Sequence, residues 1–225
     1  MNWWVIFQTV HWLLKVNSPP ASAVLSDEVF FAQTTSQQPI VLEKPDTLLL
    51  DVALFQATNE ARRIAGLTLL QYDRALYLAA RNHAASMMRH NYTSHEDFYE
   101  LADLTLLRRV QKQTNRFGRL AENIGQYQTI DTPDWYGVRF NARRQQYEYV
   151  NAETKLLYKP YSYASFVRYA VIQLLNSPHH RANLLNPHFT HVGCAVRLSA
   201  NPYKQRQAPF GRIVQNFGAQ RSSSP

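Results

Sequence analysis

One cysteine, Cys194, is all the 225-residue chain contains, so no internal disulfide can staple it and the fold rests on packing alone. Membrane-length apolar runs are missing too. Residues 3–14 are apolar but interrupted by Gln8 and His11, and fall short of the ~20 residues a helical span needs. Neither an H-E-x-x-H zinc motif nor a G-x-S-x-G nucleophile elbow occurs. Dense basic tracts are absent, and the arginines come in scattered pairs such as Arg62-Arg63, Arg108-Arg109 and Arg143-Arg144, which argues against nucleic acid as a partner. The lone thiol lies in the apolar run Val192-Gly193-Cys194-Ala195-Val196, where a buried, inert role is expected. His191 would face the opposite side of that strand, so a thiol enzyme is discarded.

Acidic residues are the scarcer charge, 16 against 24 Lys and Arg, giving a formal charge of +8. That excess suits anionic partners such as lipid headgroups or acidic polymers, although a basic solvated surface is the plainer explanation. Hydrophobic content of 45%, with 13 Tyr and 11 Phe, is enough for one domain with a substantial core. Residues 1–23 form a candidate signal peptide ending in the small-x-small pattern Ala21-Ser22-Ala23, though nothing basic precedes its apolar stretch. The expected location is then extracellular or periplasmic, with no transmembrane anchor in the mature protein. Residues 24–45 are polar and read as a linker, 46–218 as the domain and 219–225 as a disordered tail.

Within the domain, Asp46 or Thr47 caps a first helix that carries Leu50, Leu54, Ala57 and Ala61 on one stripe and stops at Gly66. Asp73 caps a second, running to about His90, with Leu76, Ala80, His83 and Met87 on its buried face. His83 is therefore read as a packed core histidine. A third helix is predicted over 98–112, a short extended element over 120–125, a short helix over 141–149 and a further helix over 163–175. Ser177 caps a final turn with Pro178 at its first position. Strands over 191–198 and 212–217 close the chain, an α+β pattern.

These residues resemble a known family. Asn59-Glu60-Ala61-Arg62 with Gly66, Tyr72-Asp73-Arg74-Ala75-Leu76 followed by His83, Ser94-His95, and Ala121-Glu122-Asn123-Ile124 stand in the order of bacterial CAP domains (cysteine-rich secretory, antigen 5 and pathogenesis-related proteins). So do the run from Ser177-Pro178-His179-His180-Arg181 to Asn186-Pro187 and the closing Val214-Gln215-Asn216-Phe217-Gly218. The resemblance implies an α-β-α sandwich with an antiparallel sheet between helices, and a cleft lined by His95, Glu122 and His180, with Ser177 and His179 beside them. The second glutamate of eukaryotic members has no counterpart: Leu174 and Ser177 stand where the tryptophan and that glutamate would be. Residues 133–162 look like an insertion.

Two imidazoles and a carboxylate suit zinc or another divalent ion, so His95, His180 and Glu122 are candidate ligands. Alternatively Glu122 orients an imidazole and shapes the cleft without metal. Ser94 or Ser177 beside a histidine makes a weak nucleophile candidate, and no catalytic residue is assigned. The reading favours a non-enzymatic binding protein for a cell-envelope lipid, glycan or anionic polymer. A zinc-dependent hydrolase of peptide or envelope polymer is one alternative. The other is an interaction protein that uses its Tyr- and Arg-rich insertion.

Overall fold

The computed structural model describes residues 25–221 together with Ala23, so the candidate signal peptide, Ala23 apart, lies outside the described residues. Ser26 accepts a hydrogen bond from Val29 N and starts α1 (Asp27–Ala32), and α2 (Thr34–Gln37) follows. Phe30, Phe31, Ile40 and Leu42 join the main core, while Asp27 accepts a forked pair of bonds from Arg63. The expected linker at 24–45 is thus corrected: its polar composition hides four apolar anchors that pack it against the domain.

Asp46 caps α3 (Thr47–Ile64) through Leu49 N at 3.0 Å, and Gly66, at φ +70°, supplies the left-handed turn beyond it. After β1 (Gln71–Tyr72), Asp73 accepts from Leu76 N at 2.9 Å and opens α4 (Arg74–His90). The predicted helix over 98–112 is broken instead. Asp97 draws the amides of Tyr99 and Glu100 into a turn, a single 3-10 turn covers Leu101–Asp103, and Thr105 caps a new short helix, α5 (Leu106–Gln111). Phe98, Leu101 and Leu107 are exposed.

The short extended element near 120–125 proves to be part of a long strand, β2 (Phe117–Gln128). Where a helix was predicted over 141–149, a hairpin of β3 (Gly137–Asn141) and β4 (Gln146–Val150) forms. Asn141 Oδ1 accepts from the amides of Arg143 and Arg144, and Gln145 takes φ +52°, so side-chain turn chemistry outcompetes a helix without an apolar stripe. A capping box of Ser162 and Ser165 starts α6 (Tyr163–Asn176), and α7 (Pro178–Leu184) follows at once. β5 (His191–Leu198) and β6 (Phe210–Gln220) complete the chain. β6 reaches Gln220, pairing there with Phe117, so the expected tail from 219 starts too early; residues 222–225 lie outside the described residues.

The four-stranded sheet has the order β1-β5-β6-β2 and is antiparallel except for the short parallel pair β1–β5. Strand alternation sends Val192, Cys194, Val196, Ile213 and Phe217 into the main core, where α3 and α6 lie. Ala195, Val214 and Ile124 meet Ala80, Ala84 and Met87 of α4 on the other face. The result is an α-β-α sandwich. Gly193 permits the closest contact: a Cβ there would overlap the backbone of Leu76 and Tyr77, so α4 lies directly on the sheet.

Candidate functional site

Glu122 stands on edge strand β2, opposite Asn216 of β6, with its side chain only 3% exposed. A carboxylate taken out of water needs compensation, and two cationic side chains supply it. Arg109 of α5, itself buried, donates from Nη2 to Glu122 Oε2 at 2.8 Å. His95 Nδ1 lies 2.9 Å from Glu122 Oε1. The same guanidinium donates to His95 O at 3.0 Å, Asp103 O at 2.9 Å and Leu104 O at 3.3 Å. Arg109 thereby fixes both the carboxylate and the loop carrying His95. Sequence reasoning missed it, noting only a charged pair with Arg108, because its partner arrives from a different element.

With Nδ1 held by the carboxylate, His95 turns an imidazole 58% exposed toward solvent and leaves Nε2 for a ligand. The hydrogen bond to Glu122, and then the carboxylate charge, raise its pKa above the ordinary value against the opposing effect of burial. His180 behaves in the opposite way. Burial first, then the charges of His95 and His179, lower its pKa, so it is the neutral imidazole of the pair and lies within electrostatic reach of His95.

The position of His180 is set through its backbone. Asn123 Nδ2 donates to His180 O at 3.0 Å and to Gln215 Oε1 at 3.1 Å, while Asn183 Nδ2 reaches Asn123 Oδ1 at 3.0 Å and Glu122 O at 3.3 Å. These amides dock α7 onto β2. Arg62, fully buried, does the same at the far end of α7 by donating to Leu184 O and Asn186 O. His179 is exposed beside His180, and Ser177 is half-buried. The expectation that the Ser177 hydroxyl caps α7 is corrected: the residue occupies the cap position but makes no side-chain capping bond, and Pro178 at the first turn needs no donor partner. Ser94 Oγ accepts from Glu96 N in a tight turn, and Ser94 O faces His83 Nε2 at 2.9 Å.

The candidate zinc set can be judged from its donors. Both oxygens of Glu122 are engaged, one by a guanidinium that would have to be displaced, and Ser177 stands where eukaryotic relatives were expected to carry a second carboxylate. Among the described residues no group of three or more His, Cys, Asp or Glu side chains is arranged to hold a metal ion. In this arrangement Glu122 could ligate an ion only by giving up its bond to His95 or to Arg109. Cys194 is buried 3.8 Å from Thr58 Oγ1, and burial pushes its thiol well up, which makes it a poor nucleophile.

A mostly antiparallel sheet between helical layers, with a buried glutamate pinning an exposed histidine at its edge, defines the class of module. Residues 55–217 match the CAP, or cysteine-rich secretory protein, family, and the chain belongs to that family. No curated protein matches it. Among solved structures, an extracellular protein with an SCP domain from Bacillus anthracis is 23% identical at a TM-score of 0.50, covering 79% of this chain and 43% of that one. The chain therefore spans less than half of that protein's length. An outer surface protein from Borrelia burgdorferi is 17% identical at a TM-score of 0.47, covering 75% of this chain and 90% of that one. A cysteine-rich secretory protein from Staphylococcus aureus is 15% identical at a TM-score of 0.45, covering 78% and 40%. No helix among the described residues is long and apolar enough to cross a membrane.

Proposed function

We propose that the chain is an exported binding module of the cell envelope, whose cleft at His95, Glu122 and His180, with Ser177 and His179 on its rim, holds an anionic lipid-like or polymeric ligand. One observation carries the reading. Glu122 is wholly engaged in holding Arg109 and His95, so the group offered to solvent is an imidazole kept toward its cationic form rather than a free general base. A formal charge of +8 adds long-range attraction for an anionic surface. The extracellular description of the Bacillus anthracis neighbour supports export.

Cosedimentation of the purified chain with phosphatidylglycerol vesicles, against phosphatidylcholine vesicles, tests it. Binding is expected to saturate at physiological salt, to weaken as pH rises through the His95 pKa, and to fall in H95A and H180A. Equal, unsaturable sedimentation with both lipids would retire the lipid form, and the same comparison with a soluble polyanion decides the polymeric one. Exposed Trp135, Phe140, Leu156 and Leu157 favour a second reading, in which the region 133–162 docks a protein partner. Under that reading, replacing Trp135 by Ala abolishes partner capture and leaves vesicle binding unchanged.

A further inference from the structure

The hairpin of β3 and β4 has one covered edge and one open edge. Tyr147 N donates to Tyr203 O at 2.8 Å, and Tyr149 O accepts from Tyr158 N at 2.9 Å, so both residues turn their main-chain groups away from β3. Gln146, Glu148 and Val150 therefore face β3 and bond their register partners Asn141, Arg139 and Gly137. By the same alternation, the N–H and C=O groups of Val138 and Phe140 point off the far edge of β3. No group among the described residues bonds them. Open edges are commonly blunted by proline, lysine or a bulge. β3 has none of these: its register is unbroken, and its one charge, Arg139, is bonded to Glu148.

Exposed aromatic side chains accompany the open edge. Phe140 meets Tyr147 edge-on, with ring centroids 5.2 Å apart, and is still 51% exposed. Trp135, two residues before the strand, is 75% exposed. The two ends of the strand also differ in charge. Asp134 stands before it and Arg143 in the turn after it, and neither has an ion-pair partner among the described residues. An antiparallel neighbour reverses the order of these ends. A second copy of the same strand therefore answers acid with base at both ends.

We propose that β3 pairs antiparallel with β3 of a second copy of this chain, joining the two hairpins into one continuous sheet across a two-fold axis. The proposal rests on the second reading above, docking through 133–162, and names its partner. The register follows from the side chains. A pairing centred on Phe140 runs past Asn141 into the turn. One centred on Arg139 sets two guanidinium groups directly opposite each other, which is unfavourable. Centred on Val138, the pairing sets Arg139 against Gly137, which has no side chain, and Phe140 against Tyr136. Val138 then exchanges both main-chain bonds with its own counterpart. This register also lays Asp134 and Trp135 of each copy alongside the turn at 141–144 of the other, where Arg143 stands. The interface is short, so a dissociation constant on the order of 10–100 µM is expected.

Sedimentation velocity of the full chain, from about 5 to about 500 µM, tests the proposal on both sides of that constant. A reversible shift from the 26.1 kDa monomer to a dimer is expected. V138P should abolish the shift at every concentration and keep the melting temperature, because it removes an outward N–H that β4 does not use. D134R and R143E should each weaken the dimer severalfold, and D134R/R143E should restore it. That rescue carries the test should V138P fail to fold, since damage to the monomer would not be repaired by a second reversal. A chain that stays monomeric throughout overturns the proposal. So does a dimer that neither V138P nor the charge reversals disturb, because it uses another surface. Trp135-dependent capture of a different protein by a monomeric chain keeps the docking reading and overturns self-pairing; loss of both retires both.

Discussion

Replacing Arg109 by Met keeps much of the side-chain length and removes the charge, so it isolates what the guanidinium does. In the wild type it neutralises a carboxylate that is 3% exposed and donates to the carbonyls of His95, Asp103 and Leu104. Removing one partner of a buried pair leaves the other charge uncompensated, which costs about 3–5 kcal/mol. With a urea slope of about 3 kcal/mol per molar, the unfolding midpoint should fall by about 1–1.7 M. E122Q alone should cost less, because Arg109 keeps its three carbonyl acceptors. The double variant R109M/E122Q should recover part of the loss, with a coupling of about 1–3 kcal/mol in the cycle. If R109M unfolds at the wild-type urea concentration and the cycle closes without coupling, the argument that this pair organises the site is wrong.

Removing the carboxylate should also release His95: in E122Q its raised pKa should drop back toward the ordinary 6.5, as followed by NMR titration. Because the folded-state pKa is raised, the His95–Glu122 bond stabilises the fold fully below the unfolded value and loses that contribution as pH rises through the folded one. Gly193→Ala should leave little soluble protein, or lower the thermal midpoint steeply, since the added methyl meets the α4 backbone at Leu76 and Tyr77; a near-wild-type melt would mean that α4 can lift off the sheet. Cys194 should resist a thiol reagent until the chain unfolds, and prompt labelling of native protein would contradict its burial. Asp73→Ala should cost about 1 kcal/mol in urea unfolding, the usual worth of a side-chain helix cap.

Elements with a local cause were readable in advance. Helix α4 announced itself through the Asp73 cap and the spacing of Leu76, Ala80, His83 and Met87, all of which are buried. The sandwich followed from helices preceding strands and from the motifs. Elements decided by distant partners were not readable. Phe30, Phe31, Ile40 and Leu42 look unremarkable inside a polar stretch until α3 and α6 supply the surface they cover. At 141–149 the Asn141 turn prevailed over a helical pattern that had no buried face to claim.

The same division runs through the site. The motif residues that made the family recognisable are mostly those that bond backbone atoms: Asn59 exchanges two bonds with the backbone of Leu70, Arg62 holds three carbonyls, and Asn183 and Asn123 fasten α7 to β2. Such roles demand one particular side chain in one place whatever ligand is carried, so these residues specify geometry. Arg109 acts through a side chain brought from a separate element, and no spacing along the chain encodes that meeting. Recognition of the family thus secures the fold, while the chemistry around Glu122 depends on residues that the motifs leave unspecified.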